Sequence, residues 1–285
     1  MADIVAELVE WAGENGQILV EDGWGRENEI EKAEGMRFSG KLPHQLFSNT
    51  AEEGLDLLDV SVLVTDFDFV NLNDLAALLE DVIKEGEQDI ILLANKYERM
   101  ALDQIIRGNI INAKNRSPFR VWLVKTPSRT PSEYENLAVF LGARYFSKEK
   151  KESLLEAKVH DLGRASKFNI SKYGDGLALG GAGRKEDVEA RIAELRKKWD
   201  NMKVEAIKNR YGQEIASMAS ATAIIKVASP SDGETEHIRL KTKNAVKSAQ
   251  AAVAEGVVPG GGIALKKIAD KLPAAAGWLI WDKRD

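Results

Sequence analysis

Asp66 and Asp68 are the residues whose type and position come closest to catalytic chemistry. They follow SVLVTDF, an apolar run from Ser61 that reads as a buried strand. Open α/β enzymes bind small ligands where polar groups converge at strand ends. The same two carboxylates also fit solvated turn residues. Little stands beside them. His44, His160 and His237 are scattered, without metal-ligand spacing. The chain has no cysteine, which excludes disulfides, Cys-ligated metal sites and thiol catalysis. No early strand–helix junction carries G-x-G-x-x-G, and no Ser/His/Asp set stands out. Gly260, Gly261 and Gly262 form a run where backbone could approach a ligand closely, or a plain glycine turn.

Apolar chemistry is more prominent. In the helix expected over 71–85, Leu72, Leu75, Ala76, Leu78, Leu79, Val82 and Ile83 fill an arc of roughly 160°, whereas a surface helix needs only about 100° to face its core. The excess flank is Ala76, Leu79 and Ile83. Two readings fit: a helix covered on two sides, or an exposed apolar strip for partners.

The elements that would position these residues follow from periodicity. Ile4, Val5, Leu8, Val9 and Ala12 predict a short amphipathic helix that Gly13 can end. Gln17–Val20 predicts a strand running into a turn at Glu21–Gly23, and a charged stretch follows. From Ser61, strands and helices alternate: a strand, the 71–85 helix with Asn71 or Asn73 as N-cap and Gly86 after its end, a strand at 89–94, a helix at 98–111, a strand at 119–125 and a helix at 130–142. Thr130, Pro131, Glu133 and Gly142 carry start and stop signals for the last of these. Such alternation implies parallel βαβ units with helices covering a sheet. Beyond it, 168–181 reads as a glycine-turned hairpin, 185–218 as one or two solvated helices, 223–228 as a short strand and 236–255 as a helix ended by Gly256.

The 285 residues suggest about two domains. The net charge of -5, mixed in sign, argues against a nucleic-acid binder, which needs a basic face. The start, MADIVAELVE, lacks the basic and apolar regions of a signal peptide, and no apolar run approaches a membrane span. A cytoplasmic protein with no membrane partner and no metal is expected.

Several segments, in order, resemble the group I chaperonins, the GroEL family: ILVEDGWG at 18–25, EGMRF at 34–38, KVHDLGRASKFNISK at 158–172, ARIAELRKKW at 190–199, AIIKVA at 223–228 and AAVAEGVVPGGGIAL at 251–265. Together they span roughly residues 1 to 272, with an insertion around Asn112–Phe119 as the main break; residues 273–285 match nothing in the family. The resemblance implies an α/β (α+β) fold: an apical substrate-binding domain, a sheet flanked by helices, at 34–220. It would be inserted in a small intermediate domain built from 1–33 and 221–258, with a truncated equatorial stub at 259–285.

The resemblance also implies a function, a molecular chaperone that binds non-native polypeptides in an apolar groove and, in a full-length parent, assists ATP-dependent folding. Matching groove positions are Leu42, Leu46, Phe47, Ala76, Leu79, Leu102, Ile106 and Arg107, with Ile83 beside them on the same flank. Arg107 stands where the family has an aliphatic residue, and Leu42 and Leu46 where its prototype has tyrosines. Leu79 and Leu102 are expected on the surface. A GroES-like co-chaperonin would use the same groove. ATP and Mg2+ are implied for a full-length member, as is a ring of identical subunits. In this chain Asn244 falls at the family's catalytic acid. An amide cannot accept a proton from attacking water. Gly260–Gly262 match the glycine run against the nucleotide, but the family's phosphate loop lies upstream, so the chain alone is expected to lack ATPase activity. Gly35 matches one hinge glycine; Ser220 and Ala221 replace the paired glycines of the other, which would stiffen it. The competing readings are an α/β enzyme or small-ligand domain using the βαβ region, or a degenerate relative that does not cycle.

Overall fold

The computed structural model describes residues 2–12, 17–22, 28–51, 53–126, 130–218, 220–229 and 232–270. Gly13, Gly23 and the unmatched residues 273–285 lie outside them. The fold is mixed α/β. In chain order come α1 (Ala2–Ala12), β1 (Gln17–Asp22), β2 (Glu29–Ser39), β3 (Leu55–Thr65), β4 (Asp68–Phe69), α2 (Ala76–Lys84), β5 (Asp89–Ala94), β6 (Lys96–Tyr97) and α3 (Arg99–Lys114). There follow β7 (Arg120–Lys125), α4 (Pro131–Leu141), β8 (Tyr145–Phe146), β9 (Gly163–Ile170), β10 (Asp175–Gly181), α5 (Lys185–Asn201), α6 (Glu205–Met218), β11 (Ser220–Val227), α7 (Asp232–Glu255) and α8 (Ile263–Ala269).

One large sheet runs β1-β11-β2-β10-β9-β3-β5-β7, with β8 added to β3 beyond the end of β9, and β4 pairs with β6 separately. The parallel part is β3-β5-β7. Its strands are near-continuous Val, Ile and Leu because both faces are covered: Val62–Val64, Ile90–Ala94 and Leu123–Val124 are fully buried. Helices α2 and α3 make two crossovers in the same direction, so the right-handed rule puts both on one face. Helix α4 crosses back to β8 and covers the other face with α5 and α6.

Local signals explain the helix ends. The Thr130 N–H donates to Glu133 Oε2 at 2.7 Å, and Gly142 closes α4 with φ of 70°. Asn71 Oδ1 accepts from the Asn73 N–H, opening the 3-10 turn Asn73–Leu75 ahead of α2, and Gly86 ends that helix with φ of 84°. The hairpin of β9 and β10 forms as the glycine pattern predicts. The charged stretch, to which periodicity assigns no element, runs into a strand of 11 residues, Glu29–Ser39. Glu and Lys are poor strand formers, yet β2 is paired on both sides. It joins β11 through 29–35 and β10 through 35–39. Likewise β1 continues through Glu21 and Asp22, where a turn was expected, because β11 pairs along all of it.

Among the described residues three apolar clusters form, the smallest joining Leu177 and Leu179 of β10 to Ile224 of β11. Of the other two, the smaller joins Val5, Leu8 and Val9 of α1 to Ile18, Val20, Ala223, Ile225, Val227 and Val246. The larger fills the sheet from Met36 to Val124 and the helices on it. Under α4, α5 and α6 runs a buried polar network. Arg191 Nε donates to Asn136 Oδ1 at 2.7 Å and its other nitrogens reach Ser132 Oγ, Glu135 and Glu194. Asn136 and Ser132 in turn donate to Glu214 Oε2 at 2.9 and 2.7 Å. Glu214 Oε1 has no hydrogen bond and lies 3.7 Å from Arg210 Nε, so the buried carboxylate is offset by charge as well as by hydrogen bonds.

Candidate functional site

Helix α2 buries Leu75, Leu78 and Val82 and leaves its two flanks to different neighbours. On one flank Asp81, Lys84 and Glu85 line a depression shared with residues 158–164, so that flank faces the 3-10 turn Val159–Asp161. The opposite flank, Ala76, Leu79 and Ile83, faces α3. Gln104 marks where the helices meet: its Oε1 accepts from the Leu72 N–H at 3.0 Å and its Nε2 donates to Asn73 Oδ1 at 3.4 Å.

The turn of α3 then decides which of its residues share the space. At 3.6 residues per turn, Leu102 and Ile106 each lie about 160° from Gln104, and cannot face α2. They lie near Asn109 instead, whose amide bonds both backbone groups of Val121 on the outer edge of β7, at 2.9 and 3.0 Å. Lys41 pairs with Lys125 on that same edge, which brings Leu42 close by. The candidate residues therefore divide. Leu42, Leu102 and Ile106 lie on the side of the β7 edge, half-buried against the main core, and Leu46 is 61% exposed. Phe47 is a correction: it is 0% exposed and belongs to the core, because the 3-10 turn Gln45–Phe47 directs it inward. The expectation that Leu79 and Leu102 are surface residues also changes, since both pack against the core.

Facing Ala76, Leu79 and Ile83 are residues that helical spacing alone did not single out. Met100, Arg107, Gly108 and Ile111 all lie within about 60° of Gln104 on α3. The helices follow parallel strands and so run in the same direction. With Gln104 level with Asn73, a rise of about 1.5 Å per residue puts Arg107 level with Ala76, and Ile111 between Leu79 and Ile83. Ile83 is 50% exposed, Met100 51% and Ile111 55%. A Cβ placed on Gly108 would meet nothing within 4 Å. Helical geometry thus sets exposed apolar side chains of α2 and α3 across from one another, with a cation, Arg107, near one end. The Ile110–Ile111 pair, outside the buried stripe of α3, was the signal in the sequence.

The carboxylates at the end of β3 are structural. Asp66 Oδ2 accepts from Tyr145 Oη at 2.7 Å and Oδ1 from the Lys148 N–H at 2.8 Å. Asp68 accepts from Asn95 Nδ2 at 2.6 Å and Lys148 Nζ at 2.5 Å. Burial raises the Asp68 pKa, but these bonds outweigh it and hold the carboxyl below its ordinary range. Burial likewise pushes the Tyr145 hydroxyl up. Neither the solvated-turn reading nor a free general base fits this knot.

The nucleotide residues do not form a site. Asn244 is exposed on α7, and a Cβ on Gly260, Gly261 or Gly262 would meet nothing within 4 Å. No cradle surrounds the glycines among the described residues, so ATP does not fit what is present. Residues 253–263 and 265–270 are all exposed.

The hinge candidates do come together. Gly35 pairs with Ser220 on β11 and Leu179 on β10, and Ala221 pairs with Glu34. The side chains of Ser220 and Ala221 lie outside the described residues. Gly35 serves close approach: a Cβ there would stand 2.7 Å from both Leu179 Cδ2 and Thr222 Oγ1. A scan of the chain against models of known protein families finds no match.

Proposed function

We propose that this chain is the polypeptide-binding part of a group I chaperonin and captures apolar segments of non-native proteins in the groove between α2 and α3. One observation carries the reading: Ile83, Met100 and Ile111, large apolar side chains on two neighbouring helices, stay half in water, and nothing lies within 4 Å of where a Gly108 Cβ would stand. Unfolded chains share exposed apolar side chains and little else, so an aliphatic groove binds them without reading a sequence. The ordered segments resembling the GroEL family support the same reading.

In this reading 34–220 is the apical body, and 1–33 with 221–258 the intermediate domain. The cluster built from α1, β1, β11 and α7 favours that division, while Leu177, Leu179 and Ile224 join the two parts across the continuous sheet. Residues 259–285 would begin the equatorial domain. A full-length parent would add the ATP and Mg2+ site, ring assembly and a GroES-like partner at the groove; the chain itself would hold polypeptide without turnover. The enzyme reading loses its best residues, since Asp66 and Asp68 are committed to the 145–148 segment.

The test is aggregation of a chemically denatured protein diluted into buffer. The chain should suppress it with or without ATP, and Ile83→Glu with Ile111→Glu should remove the suppression. Suppression that survives both substitutions would place capture elsewhere.

A further inference from the structure

The groove carries a charge that non-selective capture does not need. Arg107 is exposed and level with Ala76, one turn from Ile111. It lines a depression on α3 with Arg99, Met100, Asp103 and Gln104. Two guanidiniums stand there against one carboxylate, leaving one net positive charge. Among the described residues neither Arg99 nor Arg107 has a hydrogen bond or an ion pair. Asp103 is one turn from each on the same helix, yet it pairs with neither. These are donors without acceptors beside an apolar surface.

We infer that the groove selects among apolar segments, favouring those with an acidic side chain two residues from the aliphatic residue seated on Ile83 and Ile111. The inference rests on the proposed function. Arg107 and Ile111 are separated by about 6 Å along the helix axis. An extended peptide advances about 3.3 Å per residue and alternates its faces, so residues i and i+2 span that distance on one side. A guanidinium is planar, always charged and holds a carboxylate through two parallel hydrogen bonds. A lysine in the peptide at the same place would meet like charge. The ligand is therefore an extended segment mixing aliphatic and acidic residues.

Three labelled ten-residue peptides test this. They are identical apart from Asp, Ser or Lys two residues from a central Leu pair, with binding read by fluorescence anisotropy. The Asp peptide should bind about five-fold tighter than the Ser peptide, as expected for a partly exposed ion pair. The Lys peptide should bind more weakly than Ser. Raising salt to about 0.5 M should shrink the spread, since exposed charges are screened. Arg107→Leu should make Asp and Ser peptides bind alike, and Arg107→Gln, which keeps a polar side chain without the charge, should do the same. Equal binding of Asp and Ser peptides by the unaltered chain would overturn the inference and leave the groove reading intact. An acid preference that persists in both Arg107 variants would overturn it too. Failure of all three peptides to bind would instead remove the proposed function.

Discussion

Replacing Ile83 and Ile111 by Glu places the heaviest demand on the groove. About half of each residue is already in water, at 50% and 55% exposure, so about half remains for a ligand to cover. Fully burying an aliphatic side chain is worth about 1.5–3 kcal/mol, which gives about 1 kcal/mol for each half and about 2 kcal/mol for the pair. At about 1.4 kcal/mol per factor of ten, capture should weaken about 30-fold. Desolvating two carboxylates adds to the loss. Folding should hardly respond, because substitutions away from buried features stay within about 0.5 kcal/mol and Glu is at least as good a helix former as Ile. The assay is anisotropy of a labelled, permanently unfolded polypeptide, with a thermal melt by circular dichroism as control. Leu79→Glu with Leu102→Glu should behave differently, lowering Tm, since both side chains pack on the core. If the Ile83/Ile111 variant melts like the parent and binds within two-fold of it, the groove is not the site. If it unfolds, the two residues belong to the core and the groove does not exist.

Three further outcomes concern the frame. Arg191→Met should cost about 3 kcal/mol, because Glu135, Glu194, Asn136 and Ser132 all lose a donor; urea midpoints measure it, and a loss under 1 kcal/mol would mean the network is dispensable. Gly35→Ala should lower stability by about 1–3 kcal/mol, since its Cβ collides with Leu179 and Thr222; an unchanged Tm would show that β10 and β11 can separate there freely. Gly108→Ala should raise stability by about 0.5–1 kcal/mol, with helix propensity gained and nothing in the way of the methyl; a lower Tm would mean the gap beside α2 is not open.

The periodic elements were legible along the chain because their causes are local. Strand β5 spans 89–94 as its apolar run implies, and α4 starts and stops at Thr130 and Gly142, where the cap chemistry is written. The excess apolar flank of α2 was legible too, since a helix's own turn sets which residues share a side. What faces that flank was not. Leu102 and Ile106 carry the right residue types, but their azimuth relative to α2 depends on how α3 is rotated on the sheet. That rotation is set by Gln104 meeting Leu72 and Asn109 meeting Val121. Phe47 and β2 were decided the same way, Phe47 by a turn that directs it inward and β2 by two strands more than a hundred residues away in sequence. Spacing along one element fixes angles about its own axis; only contacts between elements fix those axes against each other, and they come from packing and pairing across long stretches of chain.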